Sequence, residues 1–201
     1  MSMHIDGKKI AEMYWAGQKI REAWYEGQRV FSGKPVEVMP PTPNWYDAQD
    51  WLRGRLTEYG ESYQTVKEIP FEIDTGESSN LDSMFRGCSS LTTVPDMDTS
   101  QVTNMLSMFD GCSSLTTAPV MDTSQATDMR SMFRDCSSLT TVPDMDTRNV
   151  TDVSDMFRGC SSLTDGNVRL IGKRTGVSTV RMIRDSGLTR EPFYDSSGQP
   201  I

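Results

Sequence analysis

A step of 24 residues constrains this chain more than any other feature. Met-Phe-x-x-Cys-Ser-Ser-Leu-Thr begins at Met84, Met108, Met132 and Met156, with no insertion between copies. Cys88, Cys112, Cys136 and Cys160 keep the step, as do Phe85, Phe109, Phe133 and Phe157, and Leu91, Leu115, Leu139 and Leu163. A unit this short has no core of its own, so each copy can bury its apolar face only on its neighbours. The expectation is a solenoid with these twelve residues as its core.

Within a copy, Val102, Met105, Met108, Phe109 and Cys112 fall at helical spacing. This predicts a short helix, or a 3₁₀-like turn, over 100–110, with Thr99 or Ser100 as its N-cap. The following SSLTTV is rich in Thr and apolar residues and predicts a short strand ended by Pro95. A strand and a helix in so few residues is the leucine-rich-repeat plan, an α/β repeat with parallel strands about 4.8 Å apart. The register extends backwards, since Asp74-Thr75 precedes Asp98-Thr99 by one step and Leu81 precedes Met105. TVKEIPFEIDT therefore reads as a degenerate first strand.

Both ends of such a stack need covers. In 44–62, Trp45, Ala48, Trp51, Leu52, Leu56 and Tyr59 lie near one helical face, which predicts an N-terminal capping helix. At the other end the step lengthens to 26 at Met182-Ile183. There NVRLIGK reads as a strand and VSTVRMIRDSG as a helix with Gly187 as its C-cap. The solenoid is expected over 63–188, with 189–201 as an extended tail.

The opening segment has a different period. Units starting at Gly7, Gly17 and Gly27 each run Gly, polar, Lys or Arg, then Ile or Val. Two of them continue to aromatic pairs, Tyr14-Trp15 and Trp24-Tyr25. Short segments punctuated by Gly suggest a small antiparallel β segment over 1–34. An amphipathic helix competes with this, but Gly every ten residues weakens it. Tyr14, Trp15, Trp24, Tyr25 and Phe31 crowd into a segment too short to bury them, and aromatics anchor interfaces. They are the candidate partner-binding residues, a small self-contained core being the alternative. Pro35, Pro40, Pro41 and Pro43 then make 35–43 read as an extended linker.

Composition removes several functions. A net charge of -8 disfavours nucleic acid, which needs concentrated Lys and Arg. No apolar run reaches the roughly 18 residues of a membrane helix, and the N-terminus lacks the apolar core of a secretory signal. Synthesis in the cytoplasm without a signal peptide is the resulting expectation. His4, near a terminus, is the single histidine, which disfavours a His-based triad and leaves no set for a multi-histidine metal site. No phosphate-binding Gly motif occurs either. No enzyme activity and no cofactor are expected.

The repeated polar residues allow sharper and plainer readings. The cysteines could be buried thiols, disulfides between stacked copies, or metal ligands. In-register side chains fit disulfide geometry poorly and no C-x-x-C spacing exists, so buried thiols are the favoured reading. Asp74, Asp98, Asp122 and Asp146 form a carboxylate column whose mutual repulsion something must offset. Helix N-termini would do so locally, and a calcium ion shared between copies is the alternative. Met84, Met108, Met132 and Met156 repeat with the core Phe and read as core rather than as a sticky surface. The pairs Thr92-Thr93, Thr116-Thr117 and Thr140-Thr141 put one threonine column on an open face, as a stabilising ladder or a docking array. Arg86, Asp110, Arg134 and Arg158 make a mixed-charge column read as a solvated face.

Residues 84–163, with M-F-x-x-C-x-x-L-T-x-x-P-x-x-D-T-x-x-V-x-x-M, resemble the BspA-like bacterial surface leucine-rich repeats of the Mycoplasma-lipoprotein type. That resemblance implies a non-catalytic binding or adhesive surface. The Gly-punctuated opening segment resembles N-terminal segments of minor tail proteins from phages of actinobacteria. Together these imply a phage virion structural protein at the particle surface. It would be anchored to other virion proteins by the N-terminal segment and would present the solenoid to a host-surface molecule or a neighbouring subunit. A homo-oligomer, a trimer by analogy with tail fittings, is plausible on this reading. A capsid decoration protein and a bacterial surface adhesin are the alternatives.

Overall fold

The computed structural model describes residues 13–15, 18–20, 23–25, 28–31, 36–39, 48–75, 78–172 and 175–201. These form a mixed α/β chain with one helix among the described residues, α1 (Ala48–Glu58), and nine short strands. β1 (Met13–Trp15) and β2 (Gln18–Ile20) pair antiparallel, as do β3 (Ala23–Tyr25) and β4 (Gln28–Phe31). The described residues of the opening segment thus form paired antiparallel strands and not a helix.

β5 (Val36–Val38) lies inside the stretch expected to be a linker. It pairs antiparallel with β2 and parallel with β6 (Glu72–Asp74), giving a sheet ordered β1-β2-β5-β6. At the far end β7 (Met145–Asp146), β8 (Leu170–Ile171) and β9 (Phe193–Tyr194) form a parallel sheet. β9 lies in the expected tail. Asp195 N donates to the Gln199 carbonyl (2.8 Å) and Ile201 N to that of Phe193 (3.1 Å), folding the last residues back along the final strand.

Between these ends each copy lies on the next. Isolated parallel bridges run Asn80 to Asn104, Asn104 to Asp128, Asp128 to Asp152 and Asp152 to Ser178. All twelve expected core residues are fully buried, as are Met84, Met108, Met132 and Met156. The phenylalanines stack face to face, with centroids 5.3, 5.4 and 5.9 Å apart from Phe85 to Phe157 and rings within 5° of parallel. Burying each such ring contributes roughly 1.5–3 kcal/mol, and the offset stacking adds to it.

Over 100–110 the turn forms rather than the helix, the two forms the spacing allowed, and turns also replace the helix expected over 177–187; backbone hydrogen bonding gives the reason. In the first full copy, the N–H groups of Leu81, Ser83, Phe85 and Gly87 donate to Asn104, Leu106, Met108 and Asp110 of the next copy, at 2.7–2.9 Å. The alternate residues Met84, Arg86 and Cys88 donate instead to carbonyls three residues back. The same alternation runs from 105–111 to 128–134, and again into the later copies. An α-helix needs every N–H for its own chain, so it cannot form where every second one leaves for a neighbour.

Two left-handed residues per copy make this path possible. Ser83, Ser107, Ser131, Asp155 and Arg181 have φ of 52–57°, and Gly87, Gly111, Asp135, Gly159 and Asp185 follow four residues later, also at positive φ. The apolar residues keep helical spacing because short turns place i, i+3, i+4 and i+7 inward as a helix would. Gly187 is no helix cap: its N–H donates to the Cys160 carbonyl (3.1 Å), and a Cβ there would collide with the Leu163 carbonyl oxygen. The SSLTTV strands are reduced to single bridges such as Thr117 to Thr141.

α1 covers the N-terminal end as expected, burying Ala48, Trp51, Leu52 and Leu56. Trp51 and Tyr59 pack on Phe71 at 6.4 and 5.0 Å between centroids. Trp45 lies outside the described residues. No helix among the described residues is long and apolar enough to cross a membrane.

Candidate functional site

The repeated polar groups are spent between copies. Cys112, Cys136 and Cys160 each donate a thiol hydrogen to the phenylalanine carbonyl of the preceding copy, Phe85, Phe109 and Phe133, at 3.1, 3.0 and 2.9 Å. All four cysteines are free and buried. Burial pushes the thiols of Cys88 and Cys160 up to about 12, and those of Cys112 and Cys136 well above their usual value. A nucleophilic or metal-binding cysteine needs the thiolate, so this column is core, as its residue type and spacing suggested. Cys88 begins the column against Tyr63, whose hydroxyl donates to the Met84 carbonyl (2.8 Å) and accepts from Gln49 of α1 (3.0 Å).

The aspartate column is held by the chain itself. Asp98, Asp122 and Asp146 each accept, through Oδ1, the backbone N–H two residues on, from Ser100 (3.0 Å), Ser124 (2.9 Å) and Arg148 (3.0 Å). This N–H holds the Asp98 carboxyl below its ordinary range, and the Arg148 side chain does the same for Asp146. Turn N–H groups therefore do the work expected of helix N-termini. No group of three or more His, Cys, Asp or Glu able to hold a metal ion occurs among the described residues.

Thr99, expected as a helix N-cap, belongs instead to a structural column formed by the threonine after each aspartate. Thr75, Thr99, Thr123 and Thr147 are buried. Thr99 and Thr123 donate Oγ1–H to the Asp122 and Asp146 carbonyls of the next copy at 2.9 and 3.0 Å, and Thr75 donates likewise to that of Asp98. A hydroxyl column joins the copies. The signal was present as Asp-Thr at a 24-residue step, but spacing alone does not say which of two adjacent polar residues turns inward.

The outer columns differ from copy to copy. Arg86 pairs with Asp110 at 3.2 Å, and Arg130 with Asp128 at 2.6 Å. Arg134 pairs with Asp135 at 3.3 Å, and Arg181 with the buried Asp155 at 2.8 Å. The mixed column is not the solvated face expected: Arg86 is exposed, but Arg134 and Arg158 are half-buried and Asp110 is buried, which raises its carboxyl above the usual range. Thr92, Thr93, Thr116, Thr117, Thr140 and Thr141 are all exposed, so both residues of each pair face solvent. Thr92 and Thr140 donate to the Lys67 and Thr116 carbonyls (2.9 and 3.0 Å), which supports the ladder reading.

Of the candidate partner-binding residues, Tyr14 and Trp15 lie on β1, Trp24 and Tyr25 on β3, and Phe31 on β4. Their backbones pair with Lys19, Gln18, Arg29, Gln28 and Ala23 respectively. Their side chains lie outside the described part of the structure.

Residues 63–180, more than half of the chain, match the family described as "Mycoplasma protein of unknown function, DUF285". No curated protein and no solved structure matches the chain.

Proposed function

The chain belongs to the Mycoplasma protein family of unknown function DUF285, and on that premise we propose a non-catalytic structural protein whose copies stack as a leucine-rich-repeat solenoid that serves as a binding surface. The N-terminal hairpins anchor it to a larger assembly. Following the resemblance of the opening segment, that assembly is a phage virion, at its tail. The outer columns face a host-surface molecule or a neighbouring subunit.

One observation carries the reading. Thiol, threonine and backbone groups that repeat are committed to bonds between copies, whereas exposed positions such as Asp96, Val120 and Asp144 change from copy to copy. A fixed set of bonds between copies that leaves exposed positions free to change suits a scaffold for surface recognition.

The test is to raise antibody against residues 84–163 and probe the cell surface, the cytoplasm and the released particles of the producing culture. Signal in purified particles, located at the tail by labelled cryo-electron microscopy, is expected. Label on the head would identify a capsid decoration protein instead. The family description names a cellular bacterium, which favours a second reading, a bacterial surface adhesin. Signal confined to the cell surface would select it, and signal confined to the cytoplasm would overturn both.

A further inference from the structure

We infer that Glu37, Arg55 and Tyr59 form a clasp that makes residues 36–39 the first rung of the repeats and so couples the β1–β2 hairpin rigidly to them. The inference starts from register. β5 pairs parallel with β6, placing Val36 opposite Glu72, Glu37 opposite Ile73 and Val38 opposite Asp74, and Met39 N donates to the Asp74 carbonyl at 2.7 Å. Ile73 heads an inward column that continues one step at a time through Met97, Met121 and Met145, then by strand pairing to Leu170 and Phe193. Every member of that column is buried.

Glu37 takes the next place in it, 4% exposed, and so puts a carboxylate where every other copy has an apolar side chain. A charge there is tolerated only with a partner, and α1 supplies two. Arg55 reaches Glu37 Oε2 at 2.6 Å, and the Tyr59 hydroxyl donates to Oε1 at 2.7 Å. Arg55 is also held by Glu58 at 2.9 Å, within the same helix. Met39 beside it is 1% exposed and belongs to the same apolar core as Leu52 and Phe71.

The arrangement has two consequences. The helix and the strand recognise one another by charge, so α1 covers this end in one register. And because β5 also pairs with β2, the β1–β2 hairpin is joined to the repeats through a continuous sheet and not through a flexible tether. The inference stands whether or not that hairpin anchors the protein to a particle.

Residue-resolved hydrogen exchange on the full chain tests it. In the unaltered protein the Met39 amide is expected to be protected as strongly as those of β6. In Glu37→Gln it is expected to exchange about tenfold faster or more, while Phe109 in the repeats keeps its protection. The double variant Glu37→Leu with Arg55→Met, which restores an apolar residue to the column, is expected to recover slow exchange at Met39. Fast exchange at Met39 in the unaltered chain would overturn the clasp, as would unchanged protection in Glu37→Gln. Should Glu37→Gln lose protection at Phe109 as well, Tyr59→Phe and the unaltered chain decide by the same two readings.

Discussion

The repeats and the N-terminal end solve the same problem in different ways. Inside the repeats a polar group meets the same bond in successive copies: cysteine on a phenylalanine carbonyl from Cys112 to Cys160, threonine on an aspartate carbonyl from Thr75 to Thr123, alternate amides on the next turn of chain. At the N-terminal end no previous copy exists, and each group needs a partner of its own. Tyr63 meets Cys88, Gln49 bonds to Tyr63 and the Arg86 carbonyl, and Arg55 meets Glu37. Repetition lets one solution serve many sites, and an end needs residues that occur once. Damage should therefore spread among equivalent neighbours in the repeats but stay local at the end.

The largest effect that would test this is alkaline unfolding. Burial raises the thiols of Cys88 and Cys160 from 9.0 to about 12 and raises those of Cys112 and Cys136 well above their usual value. The folded state thus holds protons that the unfolded chain releases first. The thiols' contribution to stability should be level below pH 9 and be lost as pH rises from about 9 to about 12. Circular dichroism against pH, with thiol labelling that stays silent until the signal is lost, checks it. Labelling at neutral pH without unfolding would contradict the buried column.

Phe109→Ala comes next. It opens a cavity between Phe85 and Phe133 in the stack and is expected to destabilise the chain by about 3–5 kcal/mol in denaturant titration. Arg55→Met should cost about 3 kcal/mol by removing the guanidinium that meets the buried Glu37 carboxylate at 2.6 Å. The contrast lies in location. Hydrogen exchange should report loosening around β5 and α1 for Arg55→Met, and across several copies for Phe109→Ala. If both spread equally, the end is not a separate solution.

Thr123→Val removes one hydroxyl from the column while keeping its shape, and about 1–2 kcal/mol is expected for the bond to Asp146. Thr92→Ala, on the exposed face, should stay within about 0.5 kcal/mol. A Thr92 effect equal to that of Thr123 would mean that the outer ladder carries as much of the structure as the inner one.

The twelve core positions and the free thiols could be read from the sequence, because an uninterrupted step leaves only one way for identical apolar residues to be covered. The capping helix was legible for a similar reason, since its apolar residues share one face. The path of the chain between those positions was not. Leu81, Met84, Phe85 and Cys88 have the spacing of a helix, and only the neighbouring copy, by drawing off every second N–H group, turns that spacing into tight turns.

The candidate site divides along the same line. The 24-residue step is enough to place the Cys, Asp and Thr columns, because side chains at equivalent positions must stack. Which threonine turns inward depends on the next copy's carbonyls, so it had to come from the fold. Residues 35–43 have the prolines of a linker and 189–201 the composition of a tail, yet β5 and β9 pair with strands. Their partners are 36 residues away along the chain for β5 and 23 for β9, and no local pattern encodes such pairings. Sequence by itself determined what repeats and what must be buried, because those follow from periodicity and hydrophobicity. Tertiary structure decided where the repeats end, because an end is defined by whatever unique group comes to lie against it.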